Sequence, residues 1–423
     1  MAFTHGLRVA AKICDSALPP PVWHRGNWLD DPDHAGPRRT THEQGCHMAT
    51  IQYLTTIEFG AGVSTQLPVV LAELGIRRPL WVTDRGIVDA GLLDRVSATL
   101  AEPVDRDTVF DATPPNPTEA AVHAALQRYK AAGCDGIVAL GGGSPIDLAK
   151  GVALMATHDG PLARWAGMAA LGSIGPCAPI VAVPTTAGTG SEVGRGALLC
   201  LADGRKLVFV SPHLLPKRAL CDPVLTVGMP AAMTAGTGMD ALAHCVETYL
   251  SPRFNPPADA IALDGAARAW RWLAHAVRHP ADLAARAEMM VAGLHGGLAF
   301  QKGLGAVHAL SHPLGALTAP TLHHGTVNAV LLPHVLRFNA GHVGDKFARL
   351  QAAFGLDAGA DLADAFTALN LRTGMPASLA AMGVPAAVRG RVVAGAMADH
   401  SLPTNPRPLD AAALGHLFDS GMQ

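Results

Sequence analysis

From Met48 onward, short apolar runs alternate with stretches whose apolar residues recur at helical spacing. Leu80-Trp81-Val82-Thr83 reads as a strand, followed by a helix over 86–100. Thr108-Val109-Phe110 is a second strand. Thr118 is placed to cap a helix running to Ala132, with Glu119 in the first turn, where a carboxylate suits the helix dipole. A third strand, Gly136 to Leu140, enters Gly141-Gly142-Gly143-Ser144, and a helix then runs through Asp147 to about residue 157. Pro179 to Val183 is a further strand. Such alternation predicts a parallel sheet covered by helices. Residues 198–210 differ: two apolar runs flank Asp203-Gly204, a hairpin-turn dipeptide, so a small antiparallel excursion is expected there. After Asp222-Pro223 the strand signal stops, and Ala- and Leu-rich helical segments follow over 240–250, 258–277, 283–300, 327–338 and 362–371. The pattern predicts an α/β domain over 48–225 and an all-helical domain over 226–423. Residues 1–47 carry no periodic pattern and are expected to be a disordered extension, with Met48 an alternative start.

Composition narrows the classes. The 423 residues are 49% hydrophobic and only 16% charged, with a formal net charge of −2. A core is affordable, and no basic cluster suits nucleic acid. No run of about 20 apolar residues free of charge predicts a membrane span. Seven scattered cysteines, without a Cys-x-x-Cys pair, argue against a disulfide framework and for a reducing, cytoplasmic setting.

Four motifs carry candidate chemistry. Gly141-Gly142-Gly143-Ser144-Pro145-Ile146-Asp147 joins a buried strand to a helix start, where free N–H groups and the positive end of the dipole suit a diphosphate. An ordinary tight turn would look the same. Pro184-Thr185-Thr186-Ala187-Gly188-Thr189-Gly190-Ser191-Glu192 offers four hydroxyls after a strand, either to a cofactor or merely as a polar loop. Asp240 and His244, four apart, share one helix face, as metal ligands or as simple neighbours. His308 and His312 repeat that spacing, and His323-His324-Gly325 follows. One carboxylate and several imidazoles from separate segments suit Fe²⁺ or Zn²⁺ with a position left for substrate or water.

These four segments, in this order, closely resemble the iron-containing (type III) alcohol dehydrogenase family from about residue 50 to the C-terminus. The resemblance implies an N-terminal dinucleotide-binding, Rossmann-like parallel sheet plus an all-α C-terminal domain, a dehydroquinate-synthase-like architecture with its site in the cleft. It implies metal ligands Asp240, His244, His308 and His324, with His324 preferred over His323 because it precedes glycine. His312 would line the site as a proton-handling catalytic residue. Cofactor contacts would fall on Asp84, Asn116, Gly142, Gly143, Ser144, Asp147, Thr185, Thr186 and Lys206. Asp84, just after a strand, favours NAD over NADP by bonding a ribose hydroxyl and repelling a 2′-phosphate. Gly75-Ile76-Arg77-Arg78-Pro79, Phe254 to Asp259 and Gln301-Lys302 resemble the 4-hydroxybutyrate dehydrogenase branch. The implied activity is hydride transfer between a nicotinamide and a small alcohol or aldehyde, in a homo-oligomer. Lys302 and Arg195 are the candidates to meet a substrate carboxylate. Rivals on the same architecture are a general short-chain alcohol dehydrogenase, a maleylacetate reductase and a hydroxyacid–oxoacid transhydrogenase. An NAD- and metal-dependent lyase resembling dehydroquinate synthase is the rival of a different class.

Overall fold

The computed structural model describes Tyr53 and residues 55–423. The expectations for residues 1–47 lie outside the described residues. Among the latter, six strands form one parallel sheet in the order β1-β8-β5-β4-β2-β3. They are β1 (Thr56–Phe59), β2 (Pro79–Val82), β3 (Val109–Phe110), β4 (Gly136–Gly141), β5 (Ile180–Pro184) and β8 (Arg218–Cys221). Between β5 and β8, strands β6 (Gly196–Cys200) and β7 (Lys206–Val210) form the expected antiparallel hairpin.

Strands β4 and β5 are buried throughout because each feeds two cores. Ile137, Ala139, Ile180 and Ala182 pack on one face, with α4 (Glu119–Ala131) and α5 (Gly143–Met155). Val138, Leu140, Val181 and Val183 pack on the other, with α1 (Leu67–Glu73) and α3 (Leu92–Ser97). A sheet covered on both faces needs continuous apolar strands, which is why these read as unbroken runs. Thr118 caps α4 as anticipated, its hydroxyl accepting from Ala121 N at 3.2 Å. The single helix expected over 86–100 is instead two, α2 (Arg85–Asp89) and α3, broken where Gly91 adopts φ 70°. Strands β1 and β8 were not foreseen; each is only four residues long and neither alternates cleanly.

The rest of the chain is helical: α6 (Ala231–Leu250), α7 (Pro256–Arg278), α8 (Leu283–Ala299), α9 (Ala306–Gly315), α10 (His324–Asn339), α11 (Lys346–Phe354), α12 (Leu362–Thr373), α13 (Arg389–Met397) and α14 (Ala411–Gly421). Helix α6 starts nine residues earlier than the sequence suggests. It is buried on all sides from Thr234 to Leu250, so it lacks the one-sided stripe that marks a surface helix. Its unpaired C-terminal carbonyls are met by two lysines: Lys302 Nζ donates to Thr248 O and Tyr249 O at 3.1 and 3.2 Å, and Lys346 Nζ to Tyr249 O and Ser251 O at 2.8 and 2.9 Å. Cations there also complement the helix dipole.

The sheet-end loop 184–192 lies directly on α8. A Cβ added to Gly297 would fall 2.6 Å from Gly190 Cα, and Gly190 itself sits at φ 62°. Backbone meets backbone, so a side chain has no room to yield.

Candidate active site

Asp240 and His244 come from α6, His308 from α9, and His324 is the first residue of α10. The three imidazoles converge on one carboxylate oxygen. Asp240 Oδ1 lies 3.8 Å from His244 Nδ1, 3.8 Å from His308 Nε2 and 3.6 Å from His324 Nε2. These separations are too long for hydrogen bonds. They are close to the spacing of about 3.4 Å expected between ligand atoms that each sit about 2.1 Å from one tetrahedral cation. His244 Nδ1 is buried and has no hydrogen-bond partner, the condition of a nitrogen whose partner is an ion. The donor set and the geometry therefore fit a divalent metal. Asp240, His244 and His308 are all buried.

Electrostatics agree. Burial disfavours ionised Asp240, but the imidazoles around it prevail and hold its carboxyl well below the usual carboxylate range. Burial pushes His244 down to about 4 and His324 well below its ordinary value, so both rings are neutral and free to ligate near pH 7. His308 is the exception: against burial, Asp240 and Glu247 raise it to about 9. A divalent ion bound there would displace the second His308 proton and take its place beside Asp240.

His324, not His323, faces Asp240. His323 caps α10 instead, its Nδ1 accepting from Thr326 N at 3.3 Å.

Several site residues escaped the sequence reading. Asn328 Nδ2 donates to Asp240 Oδ1 at 2.7 Å and lies 3.3 and 3.2 Å from the Nε2 atoms of His308 and His324. Glu247 is buried and accepts from His308 Nδ1 at 2.7 Å. Asp399 accepts from His312 Nδ1 at 2.8 Å. His312 stacks on His324 (5.6 Å between ring centres, 9° between planes) and on His400 (5.5 Å, 10°). Glu247 had a usable signal, since 240, 244 and 247 follow the i, i+4, i+7 repeat of one helix face. Asn328 had one as well, four residues after His324 on α10; Asp399 had none and is met across the fold.

The nucleotide-facing expectations cluster at the carboxyl ends of the strands. The chain runs from β2 to β3 on one side and then crosses back to β4 on the other side of β2, so strand order reverses between β2 and β4. Ligands of open α/β sheets bind at such reversals. Asp84 flanks this point after β2, with Oδ1 accepting from Ile87 N at 3.0 Å; burial raises its carboxyl. Gly142 and Gly143 flank it after β4, opening α5. Thr186 lies against Gly142, Thr189 against Gly143, and Thr185 Oγ1 is buried without a partner. Ser144 Oγ donates to Pro115 O, and the adjacent Asn116 Oδ1 accepts from Lys206 Nζ at 2.8 Å. Asp147 is spent within the protein: its two oxygens accept from Ser191 Oγ and from Leu198 N.

The expectation for Lys302 fails. The side chain is fully buried, pairs with Asp259, and donates to two α6 carbonyls; no substrate carboxylate can reach it. Arg195 remains. It is half-buried in a recess beside Phe300, whose ring centre lies 5.6 Å from that of His244.

Comparison with known proteins settles the family. The profile of iron-containing alcohol dehydrogenases matches residues 55–223, and the C-terminal profile of the Fe-containing alcohol dehydrogenase family matches residues 234–422. The chain belongs to the iron-containing alcohol dehydrogenase family. It is thus an oxidoreductase acting on CH–OH groups. It is similar to the 4-hydroxybutyrate dehydrogenase of Cupriavidus necator, 51% identical over 387 residues that cover 89% of this chain and all of the relative. It is also similar to the 1,3-propanediol dehydrogenase of Klebsiella pneumoniae, 40% identical over 82% of this chain and 91% of the relative. Among solved structures, a 1,3-propanediol oxidoreductase superposes with a TM-score of 0.83 at 36% identity, over 88% of this chain and all of the other. The sulfoacetaldehyde reductase of Bifidobacterium kashiwanohense, solved in complex with NAD⁺, superposes with a TM-score of 0.79 at 28% identity, over 89% of this chain and 99% of the other. The family is named for its iron, and among the described residues of this chain no helix is long and apolar enough to cross a membrane.

Proposed function

We propose that this dehydrogenase interconverts 4-hydroxybutyrate and succinate semialdehyde, with NAD rather than NADP and with Fe²⁺ as the resident cation, Zn²⁺ being the alternative. The observation that carries the reading is the convergence of three imidazole nitrogens on Asp240 Oδ1, joined to 51% identity with a 4-hydroxybutyrate dehydrogenase. Asp240, His244, His308 and His324 would hold the cation, which supplies Lewis acidity to the reacting oxygen. The loops after β2, β4 and β5 bind the nucleotide through Asp84, Asn116, Gly142, Gly143, Ser144, Thr185, Thr186 and Lys206, with Asp147 bracing the turn from behind. His312 gives its Nδ1–H to Asp399, so Nε2 is the atom left to take up or return the hydroxyl proton. Arg195 anchors the substrate carboxylate. The chain divides near residue 225 into a nucleotide-binding and a metal-binding half, and works as a cytoplasmic homo-oligomer.

The second reading is a dehydrogenase for uncharged short alcohols. What favours it is the commitment of Lys302 to Asp259 and α6, which leaves the carboxylate one cation fewer. Oxidation of NADH by enzyme reconstituted with Fe²⁺ or Zn²⁺ separates the two. Clear preference for succinate semialdehyde over butanal is expected; equal kcat/KM for both refutes the carboxylate reading.

A further inference from the structure

Helix α9 begins without a cap of its own. Its N-cap residue is Gly305, which has no side chain to accept the free N–H groups of the first turn. Those groups are satisfied from elsewhere. Glu247 Oε1 accepts from Val307 N at 2.7 Å, and Oε2 from Gly305 N at 3.1 Å and His308 N at 3.4 Å. Asn405 Oδ1 accepts from Ala306 N at 3.1 Å. Glu247 thus sits on the positive end of the α9 dipole, in a buried site where a carboxylate there is most effective.

The same Oε2 also accepts from His308 Nδ1 at 2.7 Å. That bond fixes which nitrogen of His308 carries hydrogen and how the ring is turned. Nε2, the ring's other nitrogen, faces Asp240 Oδ1, 3.8 Å away, with the Asn328 amide 3.3 Å from it, and is the atom a cation would take by displacing its proton. Glu247 lies one helical turn beyond His244 on α6, so a single side chain joins the helix bearing two of the proposed ligands to the helix bearing the third. The two roles are separable in this molecule, because Asn405 shares the capping of α9 but touches no imidazole.

We propose that Glu247 is the positioning residue of the metal centre, holding His308 with Nε2 turned toward Asp240 and thereby setting the affinity for a divalent cation. This rests on the metal-binding reading above. Carboxylates that orient a ligating histidine are worth about 10- to 100-fold in metal affinity.

The test uses Co²⁺ as probe on the full chain, with affinity measured by chelator competition and the ligand field by visible absorption. Glu247→Gln keeps the size of the side chain but replaces one of two acceptor oxygens by an NH2 donor, which must face the N–H groups of either α9 or His308 Nδ1. It is expected to bind Co²⁺ about 10- to 100-fold more weakly than wild type, with an altered spectrum. Asn405→Ala is expected to lower the melting temperature of the metal-free protein while leaving Co²⁺ affinity unchanged. Should Glu247→Gln fail to fold, Glu247→Asp is read by the same criterion, since its shorter arm cannot hold both α9 and the imidazole. Affinity within twofold of wild type in a folded Glu247 variant overturns the proposal. So does an equal loss in Asn405→Ala, which would assign the effect to the helix cap alone. Failure of wild type to bind Co²⁺ at all would instead sink the metal-binding reading itself.

Discussion

Glu192 ends the loop that carries Thr185 and Thr186, and it is buried beside Lys150. Burial pushes its carboxyl up to about 7, with Lys150 pulling weakly the other way. Lys150, also buried and lowered by burial, donates to Ser191 O at 2.8 Å and to Ser191 Oγ at 2.7 Å. In the unfolded chain the glutamate titrates near 4.5. The folded protein therefore binds this proton more tightly than the unfolded one. The resulting stability is fully present below about pH 4.5 and is lost as pH rises through about 7. The displacement from 4.5 to about 7 amounts to roughly 3 kcal/mol. Gln in place of Glu192 mimics the protonated acid at every pH and removes this term. The variant should exceed wild type by under about 1 kcal/mol at pH 5 and by up to roughly 3 kcal/mol at pH 8. Urea denaturation of both proteins at pH 5, 6, 7 and 8 measures the difference. A gap between the two that stays constant over this range would refute the reasoning, because a neutral buried acid and its amide must diverge as the acid ionises.

Gly297→Ala should destabilise the protein by about 1–3 kcal/mol, because its methyl would meet Gly190 backbone that cannot rotate away; chemical denaturation checks this, and NADH fluorescence should report weaker binding as loop 184–192 shifts. Arg195→Gln should raise KM for succinate semialdehyde by about 10-fold or more, the value of a lost charged hydrogen bond, while KM for butanal stays put; steady-state kinetics with both substrates decides. Lys302→Met should cost about 3 kcal/mol by stranding Asp259 and the Thr248 carbonyl, yet leave KM for both aldehydes unchanged. A selective rise in KM for the carboxylated substrate would restore Lys302 to the pocket.

How much of the site could be read in advance follows from spacing. Asp240 and His244, like His308 and His312, lie within one turn of a single helix, so the 3.6-residue period alone places each pair on one face. Glu247 obeys the same period and was open to the same argument. Asn328 follows His324 by four on α10 and was open to it too, whereas Asp399 and His400 obey no local rule with His312. His312 and Asp399 are 87 positions apart in the chain, and no property of either residue announces the other.

The strand-and-helix alternation to residue 222, the hairpin at Asp203-Gly204 and the helical remainder were settled by local chemistry: apolar period, turn residues and caps act within a few residues of one another. Likewise the type of each candidate ligand is written in the chain. What the chain alone left open was decided by burial. Two cations of the same charge met different fates: Lys302 was drawn into the C-terminal end of α6, while Arg195 kept a half-exposed guanidinium. Two adjacent histidines divided their work, His323 capping a helix and His324 turning toward Asp240. Such choices depend on where a polar group can be satisfied once water is excluded, and that is a property of the packed interior, not of neighbouring residues.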